Sequence, residues 1–583
     1  MMKSISKVLL TALSAAVILS ACSKAPEESR FIPKTAGIVL ELNAKQLTTK
    51  LVTNGITMDK LFEAVQSKDT SDVAKAWKDA ENSGVDMQSH FFLSVVAPQG
   101  LDQYVSVTAS LKDAAKFEAF VKKEDNAANI QTKNDFKYYW KADDQCIVGW
   151  TKSTLILIKG IDTDKLKKYA PGQPGIPAPD EEAVDSAVAT PAALTQTDAE
   201  GPWVAELDRL FHLKKEESAA SVEPFNKLLK ENADAGIYAN PEVFYNSQTM
   251  AMVPVNVKKL IEGTYYVATI NFENGKVVME GDSYLGKELK EIFKKYGSKE
   301  IDYSLVKKYP GDNVSAVIAY AFDFHMLGDI IKLMSLDGMA NMGLAQSGVT
   351  LDDILDAFEG QLAYVASDFA VTKQESQYMP GNFSEKPSAK WIFTIKVGKK
   401  EAFEKIMASP MMKQTFTKEG DHYVITNPMM AATVPPVSIT DKYITLGSDS
   451  ALLQAYLAGN GNIKLPEGVE GKLKGNMMSG YVNLEKIIGS IPDSELDSDT
   501  KPLLAKIKVL FQDAYFSNKM SGNDRQHGEL IVNFKNKEQN SLVQIVNFST
   551  EAAKVIKAKQ DKANQAVDSA VAAEPTDSVQ TAQ

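Results

Sequence analysis

The feature that most constrains this chain is that its body is written twice. VSVTASLKDAAKFEAFV (Val105 to Val121) matches WIFTIKVGKKEAFEKIM (Trp391 to Met407), with Thr108 against Thr394, Phe117 against Phe403 and Glu118 against Glu404. Each block reads as an alternating strand, a turn and the opening of a helix. Upstream, Phe31-Ile-Pro33 leads into the apolar run Ile38-Val-Leu40 and then Asn43, a helix-capping residue. Tyr309-Pro310 leads in the same way into Val314 to Ala321 and Asp323. Downstream, Ala235-Gly236-Ile237-Tyr238 parallels Ser479-Gly480-Tyr481-Val482, and Ile270-Asn271-Phe272 parallels Val532-Asn533-Phe534. The last pair lies in hairpin-like patterns, and Asn274-Gly275 is the residue pair a type I′ turn wants. Four blocks in one order predict a tandem duplication, about residues 31–305 and 308–556.

Each copy alternates short β-patterned runs with helical segments such as Met58 to Ala80 and Leu351 to Phe358, without a regular βαβ period. That predicts α+β lobes with antiparallel or mixed sheets and packed helices. At 583 residues the chain exceeds what one hydrophobic core supports, which agrees with two lobes. The spacing between matched residues is shorter near the C-terminus, as an insertion in the first copy would produce. Residues 171–202 are rich in Pro, Ala and acid and hold no aromatic residue. Burial there cannot offset the entropy of ordering, so a disordered insertion is expected. The tail 557–583 has the same character and repeats AVDSAVA (Ala183–Ala189, Ala566–Ala572), a low-complexity bias.

The N-terminus carries an address. Met1 to Lys7 is short and positive, Val8 to Ile18 is apolar, and Leu19-Ser20-Ala21-Cys22 follows. The apolar run is too short to span a bilayer and fits a signal-peptide core. Its ending resembles a bacterial lipobox, in which the cysteine sulfur is alkylated by diacylglycerol before cleavage. The resemblance implies a signal peptide over 1–21, an acylated Cys22 as the lipid attachment point, and a tether over 22–30. Several acyl chains on one residue exceed the threshold for stable anchoring. Ser23 follows the cysteine, and the resemblance to enterobacterial lipoproteins implies the outer membrane, since Asp there is the usual retention signal; which face of that membrane is used stays open.

A lipobox, a mature start of the form Ile-Pro-Lys-x-Ala (Ile32 to Ala36) leading to a strand and an Asn-capped helix, and a duplicated α+β body are together similar to a Bacteroidetes outer-membrane lipoprotein family. That family is catalogued as a domain of unknown function, forty-eight thirty-six. The resemblance implies an envelope lipoprotein and assigns no functional residues.

Chemistry-bearing motifs are sparse. Net charge is −11, so the chain lacks the basic footprint of a nucleic-acid binder. Two cysteines and five histidines offer little for disulfides or metals, and no phosphate loop, dinucleotide fingerprint or zinc motif occurs. Asp493 to Asp499 alternates oxygens like a calcium loop but lacks the sixth-position Gly and the closing Glu. No cofactor or metal is therefore assigned. Phe136, Tyr138 and Trp140 alternate along one strand, which suits a buried sheet face better than a sugar platform. One constellation resembles catalysis: Gly281-Asp282-Ser283-Tyr284 is similar to the Gly-Asp-Ser-Leu block of a hydrolase family, and Asp524-Arg-Gln-His527 to its Asp-x-x-His block. A Ser nucleophile needs a His base oriented by a carboxylate. Yet Ser283 falls after a hairpin strand late in copy one, and the matching stretch of copy two around Asn547-Phe548-Ser549 lacks the block.

The pattern favours a membrane-anchored binding or scaffolding lipoprotein without catalytic activity over a serine hydrolase using Ser283 and His527. Its expected partners are the lipid bilayer through acylated Cys22, and another envelope protein or a glycan.

Overall fold

In a computed structural model of the chain, the described residues are 25–56, 83–161, 196–245 and 255–572, except 99, 126–127, 376–380, 382, 460, 462, 494–499 and 523. The signal peptide, Cys22, most of the 171–202 insertion, the calcium-like loop after Asp493 and residues 573–583 lie outside them. The chain divides into two compact units, residues 1–45 with 79–252, and residues 46–78 with 253–583.

In the first unit the strands are β1 (Ala36–Asn43), β2 (His90–Val96), β3 (Tyr104–Ser110), β4 (Gln131–Lys133), β5 (Phe136–Lys141), β6 (Cys146–Trp150), β7 (Thr154–Gly160) and β8 (Ala235–Ala239). They pair antiparallel in the order β8-β1-β2-β3-β7-β6-β5-β4. Period-two alternation gives the sheet two dressed faces. On one, the helix Gln196–Phe211 lays down Trp203, Leu207, Leu210 and Phe211, and the Phe211 ring packs at a tilt against Phe136, centres 4.9 Å apart. On the other, Phe117 of the helix Ala114–Glu124 meets Trp150 edge-on at 5.3 Å. Phe136 and Tyr138 are buried, as a sheet face predicts. Cys146 is a half-buried free thiol, pushed up in pKa by its burial. The Gln196–Phe211 helix also carries an ion pair with a buried carboxylate: Glu206 accepts from Nε and Nη2 of Arg209 (2.8 and 2.7 Å) and from the Tyr104 hydroxyl (2.5 Å).

In the second unit the strands are β9 (Tyr265–Glu273), β10 (Lys276–Tyr284), β11 (Val314–Ala321), β12 (Phe358–Glu375), β13 (Phe383–Val397), β14 (Phe416–Glu419), β15 (His422–Ile425), β16 (Val437–Thr440), β17 (Tyr443–Gly447), β18 (Met478–Val482), β19 (Phe511–Met520) and β20 (Arg525–Phe534). Their antiparallel order is β9-β10-β20-β19-β18-β11-β12-β13-β17-β16-β15-β14. The principal core gathers Val317, Val365, Ile392, Tyr456 and Tyr481.

From β11 to β18 the pairing order repeats that of β1 to β8 strand for strand. Even the irregularity recurs: β1 shifts register between Ala36 and Ile38, and β11 between Val314 and Ala316. Phe117 and Phe403 are buried in equivalent satellite cores, and Thr108 and Thr394 are buried at equivalent places on β3 and β13. The fold class is α+β, and every pairing among the described strands is antiparallel.

Four details differ from the sequence expectation. Tyr238 pairs with Val39 and Tyr481 with Val317, so the copies align Tyr on Tyr, one residue away from the Gly236–Gly480 match. A one-residue slip exchanges the two faces of a strand, and here burial of the tyrosines overrides the glycine coincidence. The Asn271 and Asn533 blocks are not equivalent: one closes the first strand of its hairpin and the other closes the second. Any half-buried strand shares that alternation. At the β9–β10 turn only Gly275 is left-handed (φ 66°), so the turn is not type I′, which needs both central residues there. Finally, residues 557–572 do not form a disordered tail, because the helix Ser541–Ala572 runs through them, and residues 196–202 of the expected insertion open the Gln196–Phe211 helix. Ala, Lys and Gln favour helix even where the segment is polar.

The helix Leu351–Ala357 is held by a capping box between Thr350 and Asp353, whose carboxylate also meets Lys405 at 2.5 Å. Burial opposes ionisation of Asp353, but Lys405 and the Thr350 donors outweigh it and bring its pKa down to about 2. A depressed carboxyl stabilises the fold above its unfolded value, ordinarily near 3.8, and loses that contribution as pH falls toward 2. Asp353→Asn should therefore flatten the acid limb of the stability curve between about pH 4 and pH 2. An unchanged acid limb in urea titrations at several pH values would count against this role.

Candidate functional site

The Ser283–His527 pair does not assemble. β10 and β20 run side by side in unbroken register, and His527 lies opposite Asp282 while Ser283 lies opposite Gln526. Neighbouring residues on a strand point to opposite faces. Asp282 thus accepts from Nδ1 of His527 and from Nη1 of Arg525, each at 3.0 Å, and Ser283 is turned to the other side of the sheet. The Asp-Ser adjacency that suggested a hydrolase block is what separates the nucleophile from the base.

A second histidine sits between two carboxylates. Nδ1 of His325 meets Asp323 and Nε2 meets Asp356, both at 2.8 Å, with the Tyr296 ring stacked 6.1 Å away. Lys399 holds the Asp356 carboxyl below its ordinary range. For Asp323, burial works the other way, and His325 and Lys299 overcome it. Asp323 also caps the helix Phe324–Leu333, so the cluster ties helix ends together through satisfied ion pairs.

A cleft in the second copy has the character of a binding site. Its floor is one cross-strand row, Ser438 on β16, Thr445 on β17 and Thr394 on β13. Thr394 and Thr445 are almost fully buried, and their hydroxyls are 3.0 Å apart. One wall is the helix Ser450–Leu457, where buried Tyr456 donates to the Leu305 carbonyl at 2.8 Å and burial raises its phenol pKa. Lys308 forms the opposite wall, with its ammonium 5.1 Å from the centre of the Tyr443 ring. The β16–β17 turn forms the rim: the Thr440 hydroxyl accepts from the backbone of Lys442 and Tyr443, and Asp441 pairs with Lys400 at 2.8 Å. The cleft is open to solvent on one side and has a volume of about 400 Å³, within the range of small-molecule sites.

In the first copy the same row is closed. Gly149 on β6, Ile156 on β7 and Thr108 on β3 occupy the equivalent positions. Leu207 lies so close over Gly149 that a Cβ there would come within 2.4 Å of its Cδ2. The covering helix has 16 residues, whereas its counterpart after β17 has 8.

Residues 29–169 match the family described as Domain of unknown function (DUF4836). The matched stretch holds β1 to β7 of copy one, so the cleft in copy two lies outside it. Comparison with curated proteins finds no match. Two solved structures, crystal forms IV and I of TP0453, are similar at 9% identity each. They cover 47% and 48% of this chain and 87% and 88% of their own, with TM-scores of 0.25 and 0.23.

Sequence reasoning missed the cleft because its floor comes from three strands whose residues are individually ordinary. The usable signal was the mismatch between the copies: where the first has the apolar run Thr154-Leu-Ile-Leu-Ile158, the second has Tyr443-Ile-Thr-Leu-Gly447.

Proposed function

We propose that this protein is a lipid-anchored lipoprotein of the bacterial outer membrane, of the Bacteroidetes type, whose work is binding or scaffolding and not catalysis. The observation that carries the binding half is the copy-two cleft, a hydroxyl-floored space that copy one fills with its own helix. A duplicated fold that keeps one row packed and opens the other has the form of a scaffold with a ligand site. The anchoring half rests on Leu19-Ser20-Ala21-Cys22 after a short apolar run. Among the described residues no helix is long and apolar enough to cross a membrane; under this reading the acyl chains on Cys22 supply the attachment. Partners under this reading are the bilayer and an envelope glycan or protein.

Cys22→Ser tests the anchor. The variant should either appear in the soluble fraction or accumulate as uncleaved precursor, while the wild type stays with outer-membrane vesicles through a high-salt wash. A Cys22→Ser chain of mature size that stays in the membrane pellet would overturn lipid anchoring.

A further inference from the structure

We infer that the copy-two cleft is a carbohydrate site that takes a neutral sugar unit, one per chain; this rests on the binding reading above and adds the chemical class. Three observations carry it. First, two of the three floor hydroxyls occupy positions that carry none in the other copy, with Ile156 where Thr445 stands and Gly149 where Ser438 stands, while Thr394 has its match in Thr108. Thr394 and Thr445 are hydrogen-bonded to each other at 3.0 Å, and both line the cleft floor. Second, the lining mixes both signs of charge: Lys308 and Lys442 stand beside Asp421 and Asp441, the last already paired with Lys400. Such a set offers donors and acceptors without selecting an ion, as a polyol requires, since every sugar hydroxyl both donates and accepts. An anionic or cationic ligand would meet a like charge at the rim. Third, the half-buried Tyr443 ring lines the same space beneath the Lys308 ammonium, so a pyranose would meet the ring's edge, with its C–H groups against apolar carbon.

The duplication supplies its own control. In copy one Leu207 lies over the equivalent row, so among the described residues the duplicated row is open in copy two alone, and the expected stoichiometry is one ligand per chain.

The test uses the full lipoprotein in detergent micelles and three neutral tetrasaccharides: α-1,4-linked glucose, β-1,4-linked glucose and β-1,4-linked N-acetylglucosamine. Isothermal titration should give saturable binding of at least one of them at one site per chain. Thr445→Ile, which installs the copy-one residue, should weaken that binding at least tenfold, and so should Tyr443→Ala, a rim change that leaves the floor intact. Ile156→Thr in copy one should leave affinity and stoichiometry unchanged. No saturable binding of any of the three sugars overturns the inference, as does binding that survives both Thr445→Ile and Tyr443→Ala. Co-purification from gently solubilised membranes separates the two levels. A protein partner retained equally by wild type and Tyr443→Ala, with no sugar binding, removes the carbohydrate inference and leaves the binding reading. Recovery of neither sugar nor partner removes both.

Discussion

Gly360→Ala should destabilise the second unit by at least about 3 kcal/mol, the largest single-residue effect expected in this chain. Gly360 sits in the register shift with which β12 begins, at φ 87°, and its carbonyl accepts from the backbone N–H of Phe322. A Cβ at this site would lie 1.6 Å from the Phe322 carbonyl oxygen. The obstacle is backbone, so no rotamer change relieves it, and the left-handed conformation adds its own cost of roughly 1–2 kcal/mol for an L residue. Gly338→Ala is the matched control. It lies in the helix Asp337–Leu344 with nothing within 4 Å of an added Cβ, and there Ala should be neutral or stabilise by up to about 1 kcal/mol. Urea unfolding of both variants decides the matter. A Gly360→Ala midpoint equal to wild type would mean that β12 does not start in this conformation.

Arg209→Ala should cost the first unit about 3 kcal/mol. The change leaves Glu206, whose side chain is 8% exposed, with the Tyr104 hydroxyl alone to answer its charge. Arg209 is itself 41% exposed, so water reaches part of the gap and keeps the loss below that of a fully enclosed pair. Burial, and then Glu206, hold the Tyr104 phenol well above its ordinary pKa, so it stays a donor throughout the physiological range. The double change Arg209→Met with Glu206→Leu should recover most of the loss, because an apolar pair of similar volume avoids burying charge. If the double variant is no more stable than Arg209→Ala, the deficit belongs to packing of the helix and not to the carboxylate.

Much of the architecture was legible because a duplicated chain can be read against itself. Phe117 with Phe403 and Thr108 with Thr394 lie in equivalent satellite cores and on equivalent strands, since burial constrains such positions in both copies. Register was less legible. Gly236 against Gly480 is the tempting match, yet backbone pairing aligns Tyr238 with Tyr481, and no local pattern says which coincidence wins. The helix beyond Lys557 was missed because a polar, Ala-rich segment satisfies both a disorder rule and a helix rule. The cleft stayed hidden for a different reason: it depends on how far a helix extends over a sheet, and composition does not encode that. Ser283 and His527 illustrate the opposite hazard, since adjacent letters that match a catalytic block are carried to opposite faces by the strand they occupy.

The pairing of β10 with β20 has a consequence for the chain as a covalent object. β10 closes the first copy and β20 the second, and they meet along nine residue pairs with Gly281 opposite Gly528. Copy two expressed alone would therefore present β20 as a bare template, with donors and acceptors that its own sequence cannot satisfy. Two such fragments have an obvious remedy, to lay β20 antiparallel on β20 across a two-fold axis. The intact polypeptide makes that joint within itself, between halves that are alike but not identical, and linkage in one chain keeps a sticky edge from recruiting strangers.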